Sequence, residues 1–194
     1  MSHRVMPWWL GYFLLSPLRR LRQDPALILA PYVREGMTVL EPGPGMGYFT
    51  LELARRVGPA GRVVAVDLQP RMLAALRRRA ERAGLGARIE ARQATGADLG
   101  VADLAGRVGF VLAFALVHEV PDADAFFAQV AAALEPGGRV LLAEPTGHVS
   151  ETEFADTLAA AAARGLAPAG APAIRGSRTA LLARRQAPAR PPPP

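Results

Sequence analysis

The chain of 194 residues contains no cysteine, no lysine and no asparagine, and each absence removes a class of chemistry. Without cysteine there is no disulfide framework, no zinc–thiolate site and no thiol nucleophile. Without lysine there is no catalytic amine, and all 23 basic residues are arginine. A long apolar run is also missing. The most hydrophobic stretch, Met6 to Leu18, is shorter than the about 20 residues a membrane span requires and contains Pro7 and Pro17. It does not read as a signal peptide, because Arg19, Arg20 and Arg22 follow the apolar run instead of preceding it. The net charge of +6 and pI of about 11.0 would ordinarily suggest a nucleic-acid or anionic-membrane partner. Arginine as the sole base, together with abundant alanine, instead fits a compositional bias, and no nucleic-acid partner is expected. The length suits one domain with a substantial core.

What is present is concentrated at Val39–Gly47, where a short apolar run meets a turn with glycine at every second position: Glu41-Pro42-Gly43-Pro44-Gly45-Met46-Gly47. This pattern predicts a strand feeding a ligand-binding loop, since glycine permits a left-handed backbone and close approach of amides to a ligand. The dinucleotide fingerprint G-x-G-x-x-G fails here, because Tyr48 occupies the third glycine position. A second strand, Gly61 to Val66, ends in Asp67 about 20 residues further on, the spacing at which a βαβ unit offers a carboxylate to a ribose diol. Asp67 before Leu68-Gln69-Pro70 is equally placed to cap the next helix.

Further along, Phe110–Phe114 reads as a wholly apolar strand, Asp122–Leu134 as a helix stopped by Pro136-Gly137-Gly138, and Arg139–Pro145 as another strand. Helices are also expected over Tyr48–Val57, over Pro70–Ala83 with Met72, Leu73, Leu76 and Ala80 inward and its arginines on a solvated face, and from the capping box Ser150–Glu153 to Ala163. Two extended stretches, Ala171–Arg175 and Thr179–Arg184, suggest a terminal hairpin. Alternation of strand and helix predicts an α/β fold, a parallel sheet with helices on both faces, preceded by an N-terminal apolar helical segment. Residues 1–185 are expected to form one domain, with 1–30 as a lid segment and the proline-rich 186–194 as a disordered tail.

The run Glu41-x-Gly43-x-Gly45-x-Gly47, with Asp67 and the later His118-Glu119-Val120-Pro121-Asp122 and Leu134-Glu135-Pro136-Gly137-Gly138, resembles the motifs of class I (Rossmann-like) methyltransferases, the small-molecule type similar to quinone-biosynthesis C-methyltransferases. The resemblance spans about Met37 to Arg184 and implies a doubly wound, mostly parallel seven-stranded sheet with a C-terminal antiparallel hairpin, S-adenosylmethionine as cofactor and S-adenosylhomocysteine as product. It assigns Glu41, Gly43, Pro44, Gly45, Gly47, Asp67, Leu68, Met72, Thr95 and Phe114 to cofactor binding. Two positions depart from it: Gly109 stands where the family usually has Asp before the fourth strand, and Thr95 where an Asp often holds the adenine amino group, with Asp98 as a substitute.

Within that family the missing residues exclude the Lys-Asp-Lys-Glu tetrad of ribose-methylating RNA enzymes, cysteine-based pyrimidine C5 chemistry, arsenite methylation through thiols, and the Asp-Asp-Asn metal cluster of catechol-type enzymes. The exit of the fourth strand, Phe114-Ala115-Leu116-Val117-His118, also lacks the Asn/Asp-Pro-Pro-Tyr/Phe of amide and exocyclic amine methylation. A metal-free enzyme acting on a small, apolar or amphipathic acceptor is what remains.

His118 is the candidate base, with Glu119 fixing its tautomer, although the same pair could merely brace a loop. Glu144 and His148, at the end of the fifth strand, are second candidates for the base, and with Tyr48 they are candidates for the acceptor wall. Trp8, Trp9 and Tyr12 either roof the cavity as part of a lid or sit at lipid headgroup depth as a peripheral anchor of a cytoplasmic protein. A non-catalytic S-adenosylmethionine-binding module and a nicotinamide-dependent oxidoreductase are the competing functional readings.

Overall fold

The computed structural model describes residues 22–185. Each apolar run becomes a strand buried on both faces, and the two faces are filled by alternate residues. Strands β1 (Thr38–Pro42), β2 (Arg62–Asp67), β4 (Val108–Phe114) and β5 (Leu134–Pro145) direct Leu40, Val64, Val111, Ala113, Val140 and Leu142 into one core. Their neighbours Val39, Val63, Phe110, Leu112, Leu141 and Ala143 enter a second core on the opposite side. Burial on both sides explains why these strands are continuously apolar instead of alternating with polar residues.

With β3 (Ile89–Gln93), β6 (Leu166–Gly170) and β7 (Ser177–Arg184), the strands form one seven-stranded sheet in the order β3-β2-β1-β4-β5-β7-β6. The first five pair in parallel, and β7 inserts antiparallel between β5 and β6. The order reverses between β1 and β4, so the carboxyl ends of these two strands open a crevice where ligands bind in sheets of this kind.

Helices α1 (Pro25–Leu29) and α2 (Thr50–Arg56) pack on one face through Leu29, Leu53 and Ala54. On the other face lie α4 (Ala123–Ala133) and α5 (Glu151–Ala163), through Phe126, Phe127, Val130 and Ala161. Between β2 and β3 runs α3 (Pro70–Arg82), with Met72, Leu73, Leu76 and Ala80 buried as the spacing predicts. Ser150 and Glu153 form the expected capping box of α5, and Asp122 caps α4 through the Ala125 amide at 2.9 Å.

Several boundaries differ from the sequence reading, and both β4 and β7 begin two residues early, at Val108 and Ser177. The first hairpin strand is Leu166–Gly170, not Ala171–Arg175: Leu166 follows the left-handed Gly165 directly and is fully buried, which starts the strand there. Ala171–Arg175 is irregular, and Ile174 instead inserts into the α1–α2 side of the core. Pro136-Gly137-Gly138 does not stop α4. The helix ends at Ala133, because Leu134 turns extended and buries itself beside Val108, and the three residues form the irregular start of β5. Helix α2 begins at Thr50, two residues after the expected start. The N-terminal apolar segment and the proline-rich tail lie outside the described residues. Among the described residues, no helix is long and apolar enough to cross a membrane.

Candidate functional site

The crevice at the carboxyl ends of β1 and β4 widens into a cavity of about 400 Å³, within the usual size of a small-molecule site. The loop after β1 forms one wall. Gly45 and Gly47 adopt left-handed conformations, at φ +54° and +85°, which other residues rarely occupy. A Cβ on Gly47 would collide with Leu76 of α3, whereas one on Gly45 would meet no protein atom. Gly47 therefore serves the packing of loop on helix and does not line the cavity, while Gly45 leaves room beside it.

Two carboxylates flank this loop. Glu41 ends β1 with 3 % of its surface exposed, and its Oε2 has no hydrogen-bond partner among the described residues. Loss of hydration pushes its pKa up to about 8, and the nearby Asp67 charge adds to the rise. The Thr50 hydroxyl lies near enough to favour the carboxylate but falls short of hydrogen-bond geometry, so that Thr50 Oγ1 is unpartnered as well. Asp67, at the end of β2, accepts from Gln69 N at 2.8 Å through Oδ1 and from Gly45 N at 3.3 Å through Oδ2. It is not the cap of α3, whose cap position is Gln69. Burial raises its pKa against these amide bonds. The Asp67–Gly45 bond closes 22 residues of chain and fixes the glycine loop over the strand end.

Leu68 and Met72 line the cavity beyond Asp67, and Gly43, Pro44 and Phe114 also lie on its wall. Thr95 does not. It is exposed and exchanges two 3.0 Å backbone hydrogen bonds with Asp98, so that Ala94, Gly96 and Ala97 present the wall instead. Asp98 is turned to the Gly100 amide at 2.8 Å and is not on the wall either.

At the other end of the cavity stand His118, Glu119, His148 and Tyr48. Tyr48 Oη donates to the Gln23 carbonyl at 2.9 Å. His118 Nδ1 lies 2.5 Å from Glu144 Oε2, and its Nε2 is 3.9 Å from Glu119 Oε1, outside hydrogen-bond reach. The acid that orients the imidazole is thus Glu144, not the adjacent Glu119. Glu144 is 1 % exposed and stands behind His118, so it is not part of the acceptor wall. The Glu144 hydrogen bond raises the His118 pKa, and burial offsets part of the rise. Trp8, Trp9 and Tyr12 lie outside the described residues.

Three contributors went unread in the sequence. Gln23 lines the cavity and reaches Ser177 Oγ at 3.4 Å. Arg79, read as part of a solvated face, donates to the Met46 carbonyl of the glycine loop and is half-buried there, which lowers its pKa. Ala115, on the wall, is left-handed at φ +52°. The acid at the end of an otherwise apolar strand, a feature shared by Glu41, Asp67 and Glu144, is the signal the sequence does carry.

A family model described as a methyltransferase domain matches residues 39–138, from β1 through the start of β5 and so across most of the crevice. The chain belongs to the methyltransferase domain family. Within this family it is similar to the ubiquinone/menaquinone biosynthesis C-methyltransferase of Idiomarina loihiensis, with 36 % identity over 120 residues, covering 62 % of this chain and 47 % of that protein. It is equally similar to the nocamycin O-methyltransferase of Saccharothrix syringae, 36 % identical over 122 residues, covering 63 % and 42 % of the two chains. This chain thus spans less than half the length of either relative. Its fold matches that of an SAM-dependent methyltransferase from Aquifex aeolicus nearly end to end, at a TM-score of 0.81 and 21 % identity, covering 92 % of this chain and 98 % of that one.

Proposed function

We propose that the chain is an S-adenosylmethionine-dependent methyltransferase acting on a small, apolar or amphipathic acceptor. The observation that carries this reading is Glu41 Oε2, buried without a hydrogen-bond partner among the described residues beside a cavity whose glycine loop leaves open space at Gly45. An acid kept out of water without a donor is costly, and a ligand ammonium would supply the missing partner. Asp67 at the end of β2 suits the ribose diol, since each carboxylate oxygen can accept a further hydrogen bond. Leu68 and Met72, with Ala94, Gly96 and Ala97, offer the adenine an apolar slot.

When bound, S-adenosylmethionine supplies an electrophilic methyl group whose in-line transfer leaves the carbon–sulfur electron pair on sulfur, giving S-adenosylhomocysteine. The chain's own residues contribute position, a dry wall and a proton acceptor. Orientation alone accounts for roughly 7–11 kcal/mol in well-aligned intramolecular reactions. Phe49, Leu112 and Phe114 keep water from the acceptor end, and His118 with Glu119 beside it takes the acceptor's proton.

Residues 1–30, with Trp8, Trp9 and Tyr12, act in this reading as a lid in a cytoplasmic enzyme. Support comes from Gln23, which lies on the cavity wall tied to Tyr48 and Ser177, and from Leu27 of α1, which is 76 % exposed and available for apolar cover. Peripheral contact with a membrane through the same segment would follow if the acceptor is a lipid.

Mass spectrometry of small molecules carried through gentle purification tests the assignment. Co-purified S-adenosylhomocysteine or S-adenosylmethionine is the expected result, and a stoichiometric nicotinamide dinucleotide would overturn it.

A further inference from the structure

We propose that buried Glu144 locks the His118 imidazole in the tautomer whose Nε2 accepts a proton at the cavity wall, and that the acceptor is a weak O–H acid of the phenol or enol type. This deepens the methyl-transfer reading and rests on it for the acceptor, while the state of the imidazole is a property of the chain alone.

Glu144 ends β5 fully enclosed, and its two oxygens have separate duties. Oε1 accepts the Val117 amide at 2.7 Å and lies 3.3 Å from the Leu116 amide, and Oε2 meets His118 Nδ1 at 2.5 Å. Oε1 is taken up by the two backbone donors, so Oε2 is the oxygen left to accept from the imidazole, and the proton of the short contact belongs to Nδ1. The lone pair of the neutral ring is then on Nε2, as in a carboxylate–histidine pair that orients a general base. The backbone is bent to make this possible. Ala115 takes its left-handed conformation at the exit of β4 while its amide still donates to Ala143 O at 2.7 Å. The next two amides turn back on Glu144, and His118 is delivered to the cavity. An alanine held at positive φ is the kind of strain that a packed site maintains for geometry.

The groups facing the imidazole are Glu144 from β5, Glu119 on its own turn, Glu153 from α5 and His148 from the β5–α5 connection, whose ring centre is 6.1 Å away. The three acids together hold the His118 pKa above the ordinary imidazole value, with burial opposing. The result is a stronger base than free imidazole, suited to a hydroxyl that keeps its proton at neutral pH. In the step it performs, the acceptor O–H bond breaks, a bond to Nε2 forms, and the electron pair stays on oxygen for attack on the methyl carbon. The resulting imidazolium is paired with Glu144 until it loses its proton to water. Phe49, Leu112 and Phe114 give the cavity that His118 lines an apolar wall. A phenol enters such a wall neutral and is ionised in place, whereas an ammonium would have to be stripped of water with its charge still on it.

The test is long-range proton–nitrogen NMR on the full chain labelled at histidine nitrogen, with the three histidines assigned through His118→Gln and His148→Gln. In the wild type without ligand, His118 is expected to carry its neutral-state proton on Nδ1 and to titrate above an ordinary imidazole. In Glu144→Gln the amide oxygen keeps the backbone donors and the NH2 group faces Nδ1, so the proton moves to Nε2 and the midpoint falls by about one pH unit or more. S-adenosylhomocysteine affinity should stay within about threefold, as the cofactor groups are untouched. A wild-type ring protonated on Nε2 overturns the proposal even if the variant fails to fold, and so does a midpoint that Glu144→Gln leaves in place. For the acceptor, 4-butylphenol added to the S-adenosylhomocysteine complex should move the Nε2 resonance and n-butylammonium should not. No response to the phenol, or an equal response to both, overturns the acceptor class. Failure of S-adenosylhomocysteine to bind would count against methyl transfer itself, and the ligand-free tautomer would still be decided.

Discussion

Glu41 gives the site a pH signature that can be read without knowing the acceptor. Its carboxyl keeps its proton in the native state to about pH 8, against an ordinary value of 4.5. Between these limits the unfolded chain has released the proton and the native chain has not, so the native state binds more protons and stability falls as pH rises. This contribution is complete below about 4.5, is lost progressively up to about 8, and is constant above that. A span of about 3.5 units at about 1.4 kcal/mol each gives as much as about 5 kcal/mol, because the group is fully buried and nothing screens it. For a chain of this size that corresponds to a shift in Tm of order 10 °C. Glu41→Gln imitates the protonated acid and does not titrate. Scanning calorimetry of the variant and the wild type at about pH 5.5 and about pH 8.5 isolates Glu41 together with its coupling to Asp67, since groups that do not sense Glu41 cancel in the difference. The variant's advantage should be small at the lower pH and grow by of order 10 °C at the higher one. Saturating S-adenosylhomocysteine should narrow the gap at the higher pH by giving the ionised wild-type carboxylate its ammonium partner. A difference that does not change with pH would refute the reasoning.

Asp67→Ala removes charge-assisted hydrogen bonds worth about 1.5–3 kcal/mol and should lower S-adenosylhomocysteine affinity roughly 10- to 150-fold in calorimetric titration, with a folded far-ultraviolet spectrum. Gly45→Ala should cost only about 1–2 kcal/mol of stability, for its left-handed backbone, yet impair cofactor binding by filling the open space. Gly47→Ala should instead lose more stability through its collision with Leu76, which urea unfolding of the two variants will separate. Deleting residues 1–21 should leave S-adenosylhomocysteine binding weakened but present and abolish methyl transfer, because water enters the acceptor end. Full activity after truncation, combined with salt-sensitive binding of the intact chain to anionic vesicles, would identify the segment as an anchor.

Strands β1, β2, β4 and β5 were legible because they are short apolar runs buried on both faces, and because the glycine loop punctuates β1 unmistakably, whereas β3 is half-exposed and mixed in polarity and carried no such run. The chain ends of β5 and β6 were not legible. Proline and glycine at 136–138 carry a strong local breaker signal, yet the burial of Leu134 and its pairing with β4 decide where the strand begins. In the same way, Leu166 rather than local propensity sets the start of β6. At the site, Glu41 and Asp67 could be found because they end strands at fixed distances from the loop. The partnership of Glu144 with His118 spans 26 residues and two strands, and the carboxylate nearer in sequence, Glu119, competed with it on proximity alone. Arg79 was hidden among arginines that face water, since nothing local marks the one that reaches the Met46 carbonyl.

Calorimetric titration of the purified full chain with S-adenosylmethionine, S-adenosylhomocysteine, NADH and NADPH tests the central claim most directly. One-to-one binding of both sulfur compounds, weakened by Asp67→Ala, and no heat from either nicotinamide is the result this account predicts. Binding of a nicotinamide dinucleotide with none from S-adenosylmethionine or S-adenosylhomocysteine would contradict it.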